Sequence, residues 1–311
     1  MSRSLPDDLL GWEDLVYLAD LVQLSGEEKI SLLGGEPTLH PEFVDLVLYL
    51  LARELSVTVF TSGIVPEFTL RQMTSSFMEV PKERLHFVCN LNDPAASPKD
   101  EHERIRPFLE RFGHRTVPGF NIYRPRFDME FLFRLINEYG LVRQIRIGLA
   151  HPIPGERNQF VAVPEIKTAV ECLLSYMPLF ERFRVSPGLD CGFPLCAFTD
   201  EQLGRLHRFT GEPIRGGCQP AFDIGPDMKV WCCFPLAGHH KRSVLEFNSI
   251  PEIVEFYHGK LRNIRIEAGG IYEECDGCRY REEGRCAGGC VAHILSALRD
   301  EEPVRYAEIY P

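Results

Sequence analysis

From Leu9 to Phe183 the apolar positions switch repeatedly between a helical and a strand period. "DDLLGWEDLVYLADLVQL" sets Leu9, Trp12, Leu15, Val16, Ala19 and Val22 at helical spacing, with Pro6, Asp7 and Asp8 suiting a first turn. It predicts a helix over 8–24, ended by Ser25-Gly26. Short apolar runs at 29–33, 56–63, 84–92, 116–124 and 142–150 predict strands, and helical patterns fall between or after them at 41–54, 67–77, 100–112, 128–139 and 164–182. Strands alternating with helices of this length imply βαβ units and a parallel sheet, whose ligands gather at the carboxyl ends of the strands. Several predicted strands leave through polar or glycine-rich exits: Gly34-Gly35-Glu36-Pro37, Thr61-Ser62-Gly63, Asn90-Leu91-Asn92, Asn121 and His151-Pro152. That row of exits predicts one ligand-binding edge.

From about residue 183 helical periodicity fades, and Gly, Pro and Cys thicken in "SPGLDCGFPLCAF", "GGCQPAFDIGPDMKVWCCFPL" and "CDGCRYREEGRCAGGC". Short turns around thiols build little apolar core, so such a region needs a metal to be ordered. The expected division is a first domain over 1–182 and a cysteine-rich domain over 183–311.

The 311 residues, 44% hydrophobic and 25% charged, are those of a soluble globular protein. A formal net charge of -11 argues against a nucleic-acid backbone or an anionic membrane as partner. The local exception is the Arg-rich stretch from Arg104 to Arg126, read as a solvated face, with a site for an anionic group as the sharper alternative. Trp12, Glu13 and Asp14 interrupt any apolar leader after Leu9-Leu10, and "FVDLVLYLLA" is too short to span a bilayer and carries Asp45. The expectation is a cytoplasmic protein. Eleven cysteines in a reducing compartment point to metal binding or reactivity rather than disulfides.

Only Cys89 and Cys172 precede residue 190, in apolar contexts that read as buried core thiols. The densest group is Cys275-x2-Cys278-x7-Cys286-x3-Cys290, preceded by Cys218, by a predicted hairpin ending on Cys232-Cys233, and by Cys191-x4-Cys196. Thiolates suit both zinc and iron–sulfur clusters. A zinc ribbon wants two C-x2-C knuckles, whereas the second spacing here is x3 within "CAGGC", and glycines beside cysteines free backbone N–H groups for the sulfurs. Iron–sulfur is the preferred reading and zinc the alternative. Cys232 reads as a bystander, and Asp190 and His239-His240 as structural or solvated groups.

Two consecutive glycines let the backbone approach a ligand closely, and a glutamate just after them is placed to accept from an ammonium. A strand leaving into Gly34-Gly35-Glu36-Pro37, then "TLHPEF" and a helix, resembles the radical S-adenosylmethionine superfamily over residues 8–182. The resemblance implies a partial (β/α)6 TIM-like barrel lacking its first strand, in which Gly34, Gly35, Glu36 and Pro37 hold the methionine part of S-adenosylmethionine. Thr61, Ser62, Gly63 and Asn90 would face the same cofactor, with Leu149 and Ala150 along the adenine. That family also needs a C-x3-C-x2-C loop for a four-iron cluster, and this chain has no cysteine before Cys89, so it cannot itself ligate the radical-generating cluster. The two readings are a segment upstream of Met1 and a degenerate member; the first is preferred.

The later cysteines resemble the SPASM extension, C-x9–15-G-x4-C followed by C-x2-C-x5-C-x3-C and a final C. Cys218 and Cys233 would be the first pair, with Met228 where the family has glycine; the middle spacing is longer, and no final cysteine follows Cys290. The resemblance implies a small α+β domain with one or two auxiliary 4Fe-4S clusters. One ligand division is Cys218, Cys233 and Cys290 with Cys191 or Cys196, leaving Cys275, Cys278 and Cys286 one short. The other is Cys191, Cys196, Cys218 and Cys233 against Cys275, Cys278, Cys286 and Cys290. The implied activity is generation of a 5′-deoxyadenosyl radical to modify a peptide or protein, with flavodoxin or ferredoxin as electron donor. A non-catalytic iron–sulfur, zinc or peptide-binding relative is the alternative.

Overall fold

A computed structural model describes residues 9–309, apart from Cys191, Gln219, Pro220 and His239. Through the first half the chain alternates α1 (Trp12–Leu24), β1 (Lys29–Leu32), α2 (Phe43–Ala52), β2 (Ser56–Thr61), α3 (Glu67–Phe77), β3 (Leu85–Asn90), α4 (Glu101–Phe112), β4 (Thr116–Ile122), α5 (Glu130–Tyr139) and β5 (Gln144–Leu149). Two helices, α6 (Ile166–Ser175) and α7 (Met177–Phe183), then lead to β6 (Ser186–Leu189). The periodicity over 164–182 predicts one helix; the structure breaks it at Tyr176, because Pro178 has no N–H for the carbonyl one turn back.

The six strands are parallel and neighbours in chain order, β1 to β6, without closing into a ring. Each strand-to-strand step crosses over through helix, which places all carboxyl ends on one rim. The result is a partial barrel. β6 lies beyond the expected boundary at residue 182: its sequence, Ser-Pro-Gly-Leu, has no strand signature, and the main-chain pairing of Ser186 to Leu189 with Gln144 to Ile147 supplies what the side chains do not.

The sheet and helices share one apolar core in which Phe87 packs edge-on to Phe108 and tilted against Phe112, centroids 5.3 Å apart in both cases. Arg115, within the Arg-rich stretch, is not on a solvated face; it is 4% exposed and donates to the Phe77 carbonyl at 3.1 Å.

The second half is more helical than its fading periodicity predicts: α8 (Asp200–Thr210), then β7 (Phe222–Ile224), β8 (Lys229–Cys232) and β9 (Arg242–Ser243), then α9 (Ile250–Ala268), α10 (Arg279–Glu282), α11 (Val291–Glu301) and α12 (Pro303–Ile309). The predicted hairpin forms, with Phe222 opposite Cys232 and Ile224 opposite Val230. A second core joins this sheet to Ile253, Tyr257, Leu261 and Ile264 of α9, to Val291, Ala292 and Leu295 of α11, and to Leu18 and Leu21 of α1. No described helix is long and apolar enough to cross a membrane.

Candidate functional site

β1 ends in a turn that only glycine takes easily. Gly34 has φ +142°, with nothing within 4 Å of a Cβ placed there. Glu36 then caps the tight turn Pro37–Leu39. Its Oε1 accepts from Thr38 N (3.3 Å), Thr38 Oγ1 (2.8 Å) and Thr61 Oγ1 (2.8 Å). Its Oε2 accepts from Ser62 N (2.7 Å) and Ser62 Oγ (2.6 Å). The carboxylate thus ties the end of β1 to the end of β2. A carboxylate offers about four lone-pair sites, and five donors already converge on this one. The sequence suggests Glu36 as a free acceptor for an ammonium; the structure makes it the organiser of the rim, offering a ligand its negative charge rather than an open lone pair.

That rim opens on a cavity of about 2670 Å³ between the sheet and the β7–β8 hairpin. Gly34, Gly35, Glu36, Pro37, Thr61, Ser62 and Asn90 all line it, as do Leu149 and Ala150. Gly63 is placed differently. It is buried behind the rim at φ +75°, where a Cβ would stand 2.8 Å from Cys89 Sγ, so the close packing there requires a glycine. Burial raises the pKa of that Cys89 thiol, as a core position requires.

Inside the cavity, side-chain amides lie across glycines of the next strand. A Cβ on Gly119 would stand 2.6 Å from Asn90 Oδ1, and one on Gly148 would stand 2.6 Å from Asn121 Oδ1. Asn90 Oδ1 is buried with no protein partner. An orphaned acceptor beside a glycine-floored channel suits a ligand that brings hydroxyl or amino donors, so the residues present fit a nucleoside cofactor. Gly119 and Gly148 were legible only as glycines inside predicted strands, a signal of close approach. Deeper in, Arg146 pairs with Asp190, and its guanidinium lies 5.3 Å from the Phe60 ring centroid. Burial raises the Asp190 pKa and Arg146 opposes that shift. Asp190 reads from the sequence as a structural or solvated group, and Arg146 carries no distinguishing signal there.

The thiols fall into neighbourhoods. Partial burial, then the charges of Cys275, Cys286 and Cys278, push the Cys196 thiol up to about 11, which sets those three within electrostatic reach of it. Cys218 instead has Cys233 as its thiol neighbour and the Arg265 guanidinium hydrogen-bonded to it. Cys218, Cys233 and Cys290 all pack against the second core. A hydrogen bond with Cys232, then burial, raises the Cys233 pKa, so Cys232 is that thiol's direct partner. Cys191 and His239 lie outside the described residues. Among the described residues, no three His, Cys, Asp or Glu side chains converge at the spacing of a single metal ion. Met228 adopts φ +53°, a left-handed conformation, at the position where the SPASM pattern has glycine.

No family model and no curated protein matches the chain. Among solved structures it is similar to SuiB of Streptococcus suis bound to S-adenosylmethionine, with a TM-score of 0.60 and 13% identity over 93% of this chain and 67% of that one. SuiB in a second structure gives a TM-score of 0.59, 13% identity and coverage of 94% and 67%. SuiB bound to the precursor peptide SuiA gives 0.59, 13%, 97% and 67%. At that identity, what the chain shares with SuiB is the fold.

Proposed function

We propose that this chain is the cofactor- and substrate-binding body of a radical S-adenosylmethionine enzyme that modifies a peptide, with auxiliary iron–sulfur sites in its second half. The observation that carries the reading is the glycine-pair turn clamped by Glu36 between β1 and β2, at the carboxyl rim of a parallel sheet, in a fold shared with a protein solved with S-adenosylmethionine bound. Gly34, Gly35 and the charge of Glu36 would hold the amino-acid end of the cofactor, Asn90 Oδ1 would accept from its sugar, and Leu149 and Ala150 would flank the base. When bound and reduced, this cofactor supplies hydrogen-atom abstraction; the protein positions substrate and excludes water.

The proposed substrate is a peptide segment lying beside the nucleoside, in the cleft that runs from the rim past the open edge of β1 to the hairpin. The SuiB structure with a precursor peptide supports the same class. A low-potential donor such as flavodoxin or ferredoxin would supply electrons, and iron rather than zinc is the proposed occupant of the thiol sites.

One observation favours a second reading, a binding protein without turnover: these 311 residues have no cysteine before Cys89, hence no thiolate triplet for the initiating cluster. Two measurements separate the readings. Calorimetry under anaerobic conditions should show S-adenosylmethionine binding that Glu36→Gln weakens by about tenfold, roughly 1.4 kcal/mol, because an amide N–H then faces the donors of Thr61 and Ser62. Equal affinity in both proteins, or no binding at all, ends the cofactor assignment. Dithionite assays for 5′-deoxyadenosine then test turnover: these 311 residues should give none, and the reading frame extended upstream through a C-x3-C-x2-C triplet should give product. A frame with no such triplet leaves the binding protein.

A further inference from the structure

The segment carrying Cys275, Cys278 and Cys286 has little of its own to hold it. Between residues 273 and 290 the buried positions are Cys275, Gly288 and Gly289, so no apolar side chain except that thiol anchors it. Main-chain contacts hold it instead. Cys286 bridges to Gly216, with Gly216 N donating to Arg285 O at 3.2 Å and Ala287 N to Gly216 O at 3.0 Å.

Other contacts lead to the turn Leu195–Ala197, which bears Cys196. The Tyr280 hydroxyl donates to Asp200 Oδ1 at 2.8 Å, and Arg279 Nη2 reaches the same oxygen at 3.4 Å. A Cβ on Gly216 would stand 2.8 Å from Leu195 Cγ and 3.1 Å from Cys286 Sγ, so the bridge packs directly on that turn. Cys196, an exposed thiol, thus stands on a turn that the Gly216 bridge packs against Cys286, and Cys275 and Cys278 lie within electrostatic reach of both thiols.

We infer that Cys196 is the fourth thiolate of one iron–sulfur site with Cys275, Cys278 and Cys286, closing from the turn after β6 a ligand set that the SPASM pattern closes from beyond its quartet. This rests on the iron–sulfur reading above and deepens it. It completes the first of the two divisions above in its Cys191 form, supplying the ligand that Cys275, Cys278 and Cys286 lack, and departs from the second: Cys196 leaves the group of Cys218 and Cys233, and Cys290 stays with them on the second core. The turn that bears Cys196 is itself fixed in the barrel core through Ala197 and Phe198. The site therefore fastens the thiol segment to the barrel, not to the hairpin.

The test is a double-variant comparison on the full chain, reconstituted anaerobically with iron and sulfide, reading iron, sulfide and zinc per chain and the EPR spectrum after reduction. Cys196→Ala should lose about four irons, the content of one such cluster, and so should Cys275→Ala. Cys196→Ala/Cys275→Ala should lose no more than either alone, whereas Cys196→Ala/Cys218→Ala should lose the iron of both sites. Full iron in Cys196→Ala, or additivity with Cys275→Ala and none with Cys218→Ala, overturns the assignment. Cys196→Ser guards against misfolding: an oxygen ligand should keep part of the iron and alter the EPR spectrum, and an unaltered spectrum also overturns it. Zinc without iron or sulfide in the parent protein would end the iron–sulfur reading, while zinc counts in the same variants would still decide the place of Cys196. A parent that takes up neither metal ends both.

Discussion

The barrel half and the thiol segment of this chain are held by different forces. In the barrel, Val57, Val59, Leu85, Phe87, Ile145 and Ile147 are fully buried along the central strands, and helices cover them. Burial of that kind stabilises by about 1.5–3 kcal/mol per large side chain, so the order of the sheet is intrinsic to its sequence. Residues 273–290 bury only one thiol and two glycines. Their order rests on main-chain contacts such as the bridge from Cys286 to Gly216, and the metal site proposed above would add to it, since structural metal sites supply folding energy outright. On the proposed reading, one region of the chain is ordered by excluding water and the other would gain most of its stability on loading.

The largest expected effect separates the two. Stripping metal by chelation under reducing conditions should abolish hydrogen-exchange protection across residues 273–290 and leave that of the strands β2 to β5 intact. Loss of protection in the sheet as well would mean that the regions fold as one unit and would break the contrast.

Next comes Phe87→Ala. Its ring meets those of Phe108 and Phe112, and truncation should cost about 3–5 kcal/mol of global stability in chemical unfolding. Metal content should be unchanged in the protein that remains folded. A cost under about 1 kcal/mol would contradict a barrel carried by its core.

The smallest effect is the acid titration of one barrel histidine. His86 on β3 lies 3.1 Å from Thr58 Oγ1, and burial, then Lys29, lowers its pKa. The unfolded chain then binds the proton more readily than the folded one. The stabilising contribution is complete above the ordinary histidine pKa of 6.5 and declines as pH falls below it. His86→Gln should flatten that acid-side slope in urea unfolding of chelated protein, where no metal ligand is at stake. An identical slope in both proteins would remove His86 from the balance.

Much of the barrel was legible because its signals are local. Runs such as "SVTVFT" and the helical spacing of α1 need no knowledge of the rest of the chain. The glycine break after β1 was legible for the same reason, since consecutive glycines are costly unless the backbone needs them. What the sequence leaves out is what distant partners add. Behind Gly63, Cys89 and Ile105 fill the space a side chain would need. To Glu36, Thr61 and Ser62 bring donors from the neighbouring strand that the local sequence does not show. β6 is invisible in Ser-Pro-Gly-Leu because its strand character comes from pairing with β5.

The sequence by itself determined the alternation of strand and helix, the rim built on Gly34 to Pro37, and the concentration of thiols in the second half. All three follow from short-range periodicity, from backbone freedom at particular residues, or from spacing along the chain. Only the tertiary structure decided which thiols are neighbours. Cys196 is much closer in sequence to Cys218 than to Cys275, yet the path through β6 and the bridge from Gly216 to Cys286 bring it to the later group. Spacing limits partners within one loop, whereas partners on separate segments are set by the packing that carries those segments together.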